Sequence, residues 1–343
     1  MLKQKYVFFI GIDMSKSWLD ASCTQDGEKA QMWHERYANK QAGFVALLKG
    51  VRAWSKRRKL DATFLFCMEH TGVYTYPIWH YLQQQQLHFV VVSGLEIRYS
   101  LGIRRGKSDE RDSRDIAQYA HLKHKKLTAS TLPIKDLMYL KHLLAYRARL
   151  LRYKNGLKVA AGELESFAPK EEAKLIIQDT KGVTAVHEKS IKRIEQQMRQ
   201  IIKQNDDLEV LFSLTTSVKS VGLIIGVTLL VYTNAFEAFS SVRKFACYCG
   251  IAPFEESSGS SIKKPARVHA LGYRKIKALL TNAARSAINH DAEMRAYYQR
   301  KMKENKHEGT VVNAIKFKIL SRVFAVVKRG TPYVERNTFM AKG

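Results

Sequence analysis

The first structured segment reads KYVFFIGIDMS, Lys5–Ser15, and predicts a buried β-strand that ends on a carboxylate. Its apolar run from Tyr6 to Ile12 is followed directly by Asp13. Short continuous apolar runs bounded by polar residues are typical of strands that are buried in a sheet. An ionised carboxylate at the end of such a strand is costly unless a cation lies beside it, so Asp13 is a candidate functional residue.

Alternating strand and helix signals continue through the first third of the chain. Two short segments separated by Asp26-Gly27 follow the first strand, and this spacing predicts an antiparallel meander. Later runs predict a helix over residues 41–59, strands at ATFLFCME and LHFVVVS, and helices over about 76–85 and 109–123. We therefore expect a mixed α/β domain over residues 1–130.

Three further carboxylates are candidates to share a site with Asp13. Glu69 ends its strand as Asp13 does, and neighbouring strands would bring the two together. Asp109 and Asp112 lie three residues apart in IRRGKSDERDSRDIAQYA, hence on one face of the predicted helix. Such oxygen ligands suit Mg²⁺ or Mn²⁺, and two such ions can stabilise an in-line phosphoryl transfer. The alternative is a solvated helix whose opposite charges pair at helical spacing.

Composition indicates a polyanionic partner. The 343 residues include 58 Lys and Arg against 31 Asp and Glu, a net charge of +27 spread over the whole chain. This surplus favours a nucleic acid, although a basic membrane-surface or ribosomal-type binder would share it. No secretory signal or run long enough to span a bilayer is found, and the four cysteines form no CxxC motif. We expect a cytoplasmic, nucleoid-associated protein without membrane contact.

The middle and the last third have a different character. Apolar stripes over residues 136–205 predict two long helices joined near Pro169, either an antiparallel hairpin, a dimerising coiled coil or an ordinary helical connector. The last third is predicted to be mainly α-helical, with one Ser/Gly-rich polar loop at Glu255–Ser261. We place a helical, coiled-coil connector at 131–205 and a C-terminal domain at 206–335.

Four motifs together resemble a known family. They are GIDMSKSWLD, EHTGVYTYPIWHYL, KSDERDSRDIAQYA and, far downstream, YCGIAPFEESSG. In this order they resemble the DEDD insertion-sequence transposases, which are relatives of the pilin-gene DNA invertase. The resemblance implies an RNase H-like (RuvC-like) N-terminal domain of a bacterial or archaeal protein. The implied catalytic and metal-binding acids are Asp13, Glu69, Asp109 and Asp112, with Asp115 outside the set.

The same resemblance implies a nucleophile and partners. Ser258, just before Gly259 in the C-terminal transposase domain, would form a covalent link to a DNA end, and Ser257 is its competitor. Both domains would meet in one composite site. The implied partners are double-stranded DNA at element ends and target, a noncoding guide RNA that bridges them, and further copies in a dimer or tetramer. HALGY, His269–Tyr273, departs from the family's Ser-Lys-x-Gly-Asn pattern.

Cations flank both candidate regions. We expect them to contact phosphates; they are Arg104, Arg105 and Lys107 before the acids, and Lys263, Lys264 and Arg267 after the serines. Two other functions compete with recombination. A RuvC-like junction endonuclease using metal-activated water would leave the serines unexplained, and a non-catalytic nucleic-acid binder would leave the placed carboxylates unexplained.

Overall fold

The computed structural model describes residues 6–28, 32–58, 63–70, 72–102, 108–130, 135–258, 262–268 and 272–335. The chain divides into two compact units, Met1–Leu132 and Pro133–Gly343. In the described part of the chain, no helix has both the length and the apolar character needed to cross a bilayer.

The N-terminal unit is built on a five-stranded sheet with the order β3-β2-β1-β4-β5. Its elements are β1 (Phe8–Met14), β2 (Trp18–Thr24), β3 (Trp33–Ala38), α1 (Gln41–Lys56), β4 (Phe64–Glu69), α2 (Tyr76–Gln84), β5 (His88–Val92), α3 (Gly94–Leu101) and α4 (Asp109–Lys123). β1, β2 and β3 form the predicted antiparallel meander, and β4 and β5 add to β1 in parallel. The predicted α/β domain is confirmed, and α3 is an addition.

Helix α4 crosses the sheet in direct contact with the backbone of β1. A Cβ atom at Gly11 would lie 2.2 Å from the Ala117 backbone nitrogen and 2.2 Å from the Ser113 carbonyl oxygen, so this approach requires glycine. The Ser113 hydroxyl also lies 2.7 Å from that of Ser22 on β2. The Ser108 side chain caps the start of α4 by accepting from the Arg111 amide. This cap and the Gly11 contact fix where the first turn of α4 lies over the sheet.

The C-terminal unit is mainly helical, as predicted. Its elements are α5 (Lys135–Phe167), α6 (Lys170–Lys203), α7 (Asp206–Thr216), α8 (Leu223–Thr233), α9 (Val242–Tyr248), β6 (Pro253–Ser258), β7 (Ile262–Val268), α10 (Arg274–His290), α11 (Ala292–Lys303) and α12 (Glu308–Arg329). Helices α5 and α6 form the predicted antiparallel hairpin with its bend at Pro169. Arg147 pairs with Glu195 across it, at 2.6 Å.

The predicted polar loop at Glu255–Ser261 is for the most part a β-hairpin. β6 and β7 pair antiparallel, with Ser258 opposite Ile262, and residues 259–261 lie outside the described residues. Gly250 and Gly272 meet at the base of the hairpin, where a Cβ on Gly272 would lie 2.2 Å from the Gly250 Cα. Gly250 has a φ of +66°, which glycine adopts readily. Composition suggested a loop because glycine is a poor strand former, but backbone pairing with the next segment of the chain overrides this preference.

Candidate active site

Two of the predicted acids lie at the ends of adjacent strands. β1 and β4 are parallel neighbours, and Ile12 pairs with Met68 in their register. The next residues along the two strands are Asp13 and Glu69, so both carboxylates emerge at the same edge of the sheet. The predicted adjacency of these strands is confirmed.

The first turn of α4 brings the other two acids to this edge. Asp109 and Asp112 are both in that turn. The pKa of Asp13 is raised from 3.8 to about 6, chiefly by burial, then by the charges of Asp112 and Asp109, and least by Glu69. A backbone hydrogen bond from Met14 acts in the opposite direction. The Asp13 carboxylate is therefore close enough to the other three acids to be repelled by each of them.

The Glu69 carboxylate lies where a side chain at residue 94 would otherwise be, so this position requires glycine. A Cβ at Gly94 would lie 2.0 Å from the Glu69 Oε1 atom. Gly94 is the first residue of α3, so the carboxylate lies against the amino-terminal end of this helix. The partial positive charge at a helix amino terminus favours an anion there.

Sequence reasoning missed a network beside these acids. Asp20 on β2 lies directly opposite Asp13 in the register and is only 3% exposed. The Arg36 Nε atom donates to Asp20 at 3.0 and 3.2 Å, and its Nη2 lies 2.9 Å from the Asp109 Oδ2 atom. The His34 Nε2 atom also lies 3.0 Å from Asp20. Arg36 thus ties a buried carboxylate to one of the four candidate acids.

A sequence signal for this network exists. Asp20 interrupts the apolar segment WLDASC just as Asp13 ends the first run, and His34 and Arg36 alternate along β3. A buried carboxylate needs a cation, and alternation puts both basic side chains on one face of the adjacent strand. This pairing of Asp20 with β3 was therefore within reach of sequence reasoning, whereas the contact with Asp109 was not.

The chemistry of the acids suits a metal ion, although the described side chains do not form a complete set of metal ligands. Among the described residues, no three histidine, cysteine, aspartate or glutamate side chains stand close enough together to hold an ion. The set nevertheless offers carboxylate oxygens, the ligands that Mg²⁺ and Mn²⁺ prefer. The raised pKa of Asp13 is a second sign, since a bound cation would relieve the repulsion that causes part of it.

The remaining predicted residues fall into two groups. Arg104, Arg105 and Lys107 lie outside the described residues, as does most of HALGY. In the hairpin, the backbone register places Ser257 opposite Lys263, Glu256 opposite Lys264, and Phe254 opposite Arg267. Ser258 is the last residue of β6, and Asp115 lies on α4 beyond its first turn. The cations predicted after the serines are therefore carried by the strand that pairs with β6.

Two family models match this chain. A transposase model of the DEDD IS110 type covers residues 10–160, which contain the four acids. A model described as the transposase IS116/IS110/IS902 family covers residues 213–299, which contain the hairpin.

Similar proteins point the same way. Pilin gene-inverting proteins of Moraxella lacunata and Moraxella bovis are each 24% identical over 335 residues, covering 96% of this chain and 98% of theirs. An uncharacterised insertion element IS110 protein of Streptomyces coelicolor is 29% identical over 154 residues, covering 45% of this chain and 36% of its own. These matches define the class as a DNA transposase or recombinase. The chain belongs to the IS110-type transposases.

Proposed function

We propose that this transposase cuts and rejoins DNA with metal ions held by Asp13, Glu69, Asp109 and Asp112, and with Ser258 as the nucleophile. The observation that carries the proposal is the state of Asp13. Three carboxylates from β4 and α4 act on its pKa at one edge of the sheet. A carboxylate whose pKa is raised by burial and by neighbouring acids is typical of a functional site.

The fold of the N-terminal unit is proposed to be RNase H-like. The order β3-β2-β1-β4-β5, with an antiparallel meander and two parallel additions, supports this. In such a core, acids at the ends of the two central strands and on the closing helix meet at one edge, which agrees with where Asp13, Glu69 and Asp109 lie.

Mg²⁺ or Mn²⁺ bound to the four carboxylates would neutralise charge that develops on the phosphate during transfer. The chain's own contribution is to orient the ligands. Arg36 holds the Oδ2 atom of Asp109, and the missing side chain of Gly94 leaves room for Glu69. Partial burial of Asp13 strengthens its electrostatic interaction with the other acids and with a bound cation.

The covalent step conserves one phosphodiester bond. The Ser258 hydroxyl gives up its proton as its oxygen bonds to phosphorus, and the DNA oxygen that leaves takes up a proton. The product is a serine–DNA phosphodiester and one free DNA hydroxyl. Attack by a DNA hydroxyl on this ester restores a DNA phosphodiester and the serine, so rejoining requires no external energy source. Lys263 and Lys264 on β7 support the proposal as cations near the phosphate.

A guide RNA and further copies of the chain complete the proposal. Guidance by RNA rests on the family resemblance. The net charge of +27 also supports it, because a surplus of this size favours an extensive polyanionic partner. A dimer or tetramer is supported by exposed apolar side chains on the α5–α6 hairpin, among them Tyr153, Val159 and Leu175.

The test is a search for a covalent adduct. The protein is incubated with labelled DNA spanning its own element junction, Mg²⁺ and RNA from the element flank. We expect a protein–DNA adduct with the wild type and none with Ser258→Ala, while Ser257→Ala, a matched neighbour on β6, keeps it. Omitting the RNA should remove the adduct if guidance is required.

Free DNA ends that persist in Ser258→Ala would reject the covalent mechanism in favour of a junction nuclease that uses water. Ser258 and the acids belong to different compact units. Mixing Ser258→Ala protein with Asp13→Asn protein therefore tests whether the two parts of the site come from different chains. Partial recovery of the adduct would mean that two chains supply one site.

A further inference from the structure

The C-terminal unit contains an open basic groove between α10, α11, α12 and the segment that leads into β6. Its volume is about 1110 Å³. The cations that line it are Arg243, Lys277, His307 (when protonated), Lys316, Lys318 and Arg322. The groove is distinct from the acids of the N-terminal unit and from the cations predicted on β7.

Lys316 is buried in this groove without a neutralising partner. Its side chain lies on α12 and the residue is 6% exposed. Among the described residues no carboxylate or hydrogen-bond acceptor pairs with it. Burial lowers the pKa of Lys316, and the charges of Lys277 and Arg285 lower it further. The Lys316 ammonium nitrogen is not fully buried and reaches the groove, where an anion would offset its partial desolvation and the neighbouring cations.

The acid that lines the groove is already neutralised. Glu293 accepts from the Arg322 Nη2 atom at 2.6 Å, and the Arg322 Nη1 atom lies 2.7 Å from Asp291. Arg322 therefore pairs with Glu293 of α11 and with Asp291, the N-cap of this helix, and is not available to a ligand. Lys318 lies over the Tyr297 ring, 4.6 Å from its centroid, so Lys277, Lys316 and Arg243 are the lining cations without an ion-pair or ring partner among the described residues.

The groove is connected to the hairpin by its own wall. Ile251 and Ala252 line it and lead directly into β6 at Pro253. The Asn313 Nδ2 atom donates to the Ile251 carbonyl oxygen at 2.5 Å, which ties this segment to α12. An anion held by Lys316 would therefore lie beside the base of the β6–β7 hairpin, at the Pro253 end of β6.

We propose that this groove binds the phosphodiester backbone of a nucleic acid, with Lys316 and Lys277 as its inner contacts. The groove is far too large for one phosphate ion and is open, so it can accept several linked phosphates. Tyr297 and Phe317 line it beside the lysines, which matches the mixture of aromatic rings and cations that tracks nucleic-acid strands. The inference rests on the proposed function only in taking nucleic acid as the substrate.

The test measures binding and stability on the full-length protein. Short fluorescent duplex DNA and single-stranded RNA are titrated with wild type, Lys316→Met and Lys277→Gln over a range of salt concentrations. The matched control is Lys328→Gln, an exposed lysine on the same helix α12 that does not line the groove.

We expect each groove variant to weaken binding about tenfold and to reduce the salt slope by about one, as loss of one phosphate contact does. Lys328→Gln should change the affinity less than about twofold. Without nucleic acid, Lys316→Met should also raise the melting temperature, because it removes a buried charge next to Lys277 and Arg285. The ligand whose binding is weakened identifies whether DNA, RNA or both occupy the groove.

Unchanged affinity and salt slope in Lys316→Met and Lys277→Gln for both ligands would overturn the inference. A lower melting temperature with unchanged binding would instead make Lys316 a structural residue, and Lys277→Gln decides the question if Lys316→Met fails to fold. Wild type that binds neither DNA nor RNA would reject the proposed function itself, so the two failures are distinguishable.

Discussion

At the edge of the N-terminal sheet, burial and neighbouring carboxylates raise the pKa of Asp13 to about 6, whereas in the C-terminal groove burial and neighbouring cations lower the pKa of Lys316. Each region crowds like charges around one partly desolvated group, Asp13 in the first and Lys316 in the second. The two differ in sign, and so in the ligand that would relieve them. A cation suits the first and a phosphate suits the second.

Net charge has the sign of the basic groove but does not describe the acidic region. The chain carries +27 overall, yet its candidate active site is acidic. A functional charge cluster is destabilising in the free protein, and the ligand restores the balance. Four substitutions in the acidic region test whether it acts independently of the basic groove. They follow in order of decreasing effect on stability or activity.

Gly11→Ala should disrupt the acidic region most. The new Cβ would lie 2.2 Å from backbone atoms of Ser113 and Ala117, which cannot move as a side-chain end could. We expect a loss of about 3 kcal/mol in the free energy of unfolding, measured with urea. Nucleic-acid binding by the groove should persist wherever the chain remains folded, and its loss in folded protein would mean that the two regions are coupled.

A matched control for Gly11→Ala is Gly182→Ala. Gly182 lies exposed within α6, and no heavy atom lies within 4 Å of the position its Cβ would take. This substitution should stabilise the protein by about 0.5–1 kcal/mol, because alanine has the higher helix propensity. A loss at Gly182 as large as that at Gly11 would contradict the steric explanation.

Asp13→Asn should abolish Mg²⁺-dependent cleavage while leaving binding to the basic groove intact. We expect a decrease of more than about a hundredfold, since even residues that only support metal ligands reach that size. Asp115→Asn, on the same helix as Asp109, should be mild by comparison. If Asp115 proved essential and Asp112 dispensable, the assignment of acids on α4 would be wrong.

The same substitution has a pH signature in stability. The folded pKa of about 6 exceeds the ordinary 3.8, so the folded chain holds this proton more tightly than the unfolded chain. The wild type therefore loses stability as the pH rises from about 4 through about 6. Without metal, Asp13→Asn should melt at a higher temperature than wild type above pH 6, and this advantage should vanish below about pH 4. An advantage that is constant with pH would exclude a charge origin.

Arg36→Gln should have an intermediate effect. Among the described residues, Asp20, with a side chain 5% exposed, would keep only His34 as a basic partner, and Asp109 would lose its 2.9 Å contact. We expect a lower free energy of unfolding, because buried Asp20 loses its arginine partner, and weaker Mn²⁺ binding by calorimetry. Arg36→Lys should recover part of the stability, but not the three-contact geometry. Equal Mn²⁺ affinity in all three proteins would show that Arg36 has no role in positioning Asp109.

Gly94→Ala should have the smallest effect on stability and still alter the site. Its Cβ would displace only the carboxylate end of Glu69, a flexible side chain. We expect unfolding free energy within about 0.5 kcal/mol of wild type, and Mn²⁺ affinity about tenfold lower. Unchanged affinity would remove Glu69 from the metal ligands and leave a site of three acids.

Local signals predicted much of the fold. The helix expected over 109–123 is α4, because a capping serine and acidic residues in the first turn mark its start. The runs that became β1 and β4 have continuous apolar character, and Pro169 marks the bend between α5 and α6. The same motifs led to the four acids, whose role as a metal site stays a prediction.

Which charges meet was decided by tertiary structure. Arg36 contacts Asp109 across 73 residues of chain. The segment AIKFKIL around Lys316 has the sequence of an ordinary amphipathic helix, and the burial of Lys316 follows from the packing of α10 against α12. The serine segment, too, became a hairpin through pairing with residues beyond its turn. Strand and helix preferences depend on neighbours along the chain, so the sequence by itself determined the elements and the candidate acids. Burial and charge partners depend on residues far apart in sequence, so only the folded structure determined that Asp13 and Lys316 are both desolvated beside charges of their own sign.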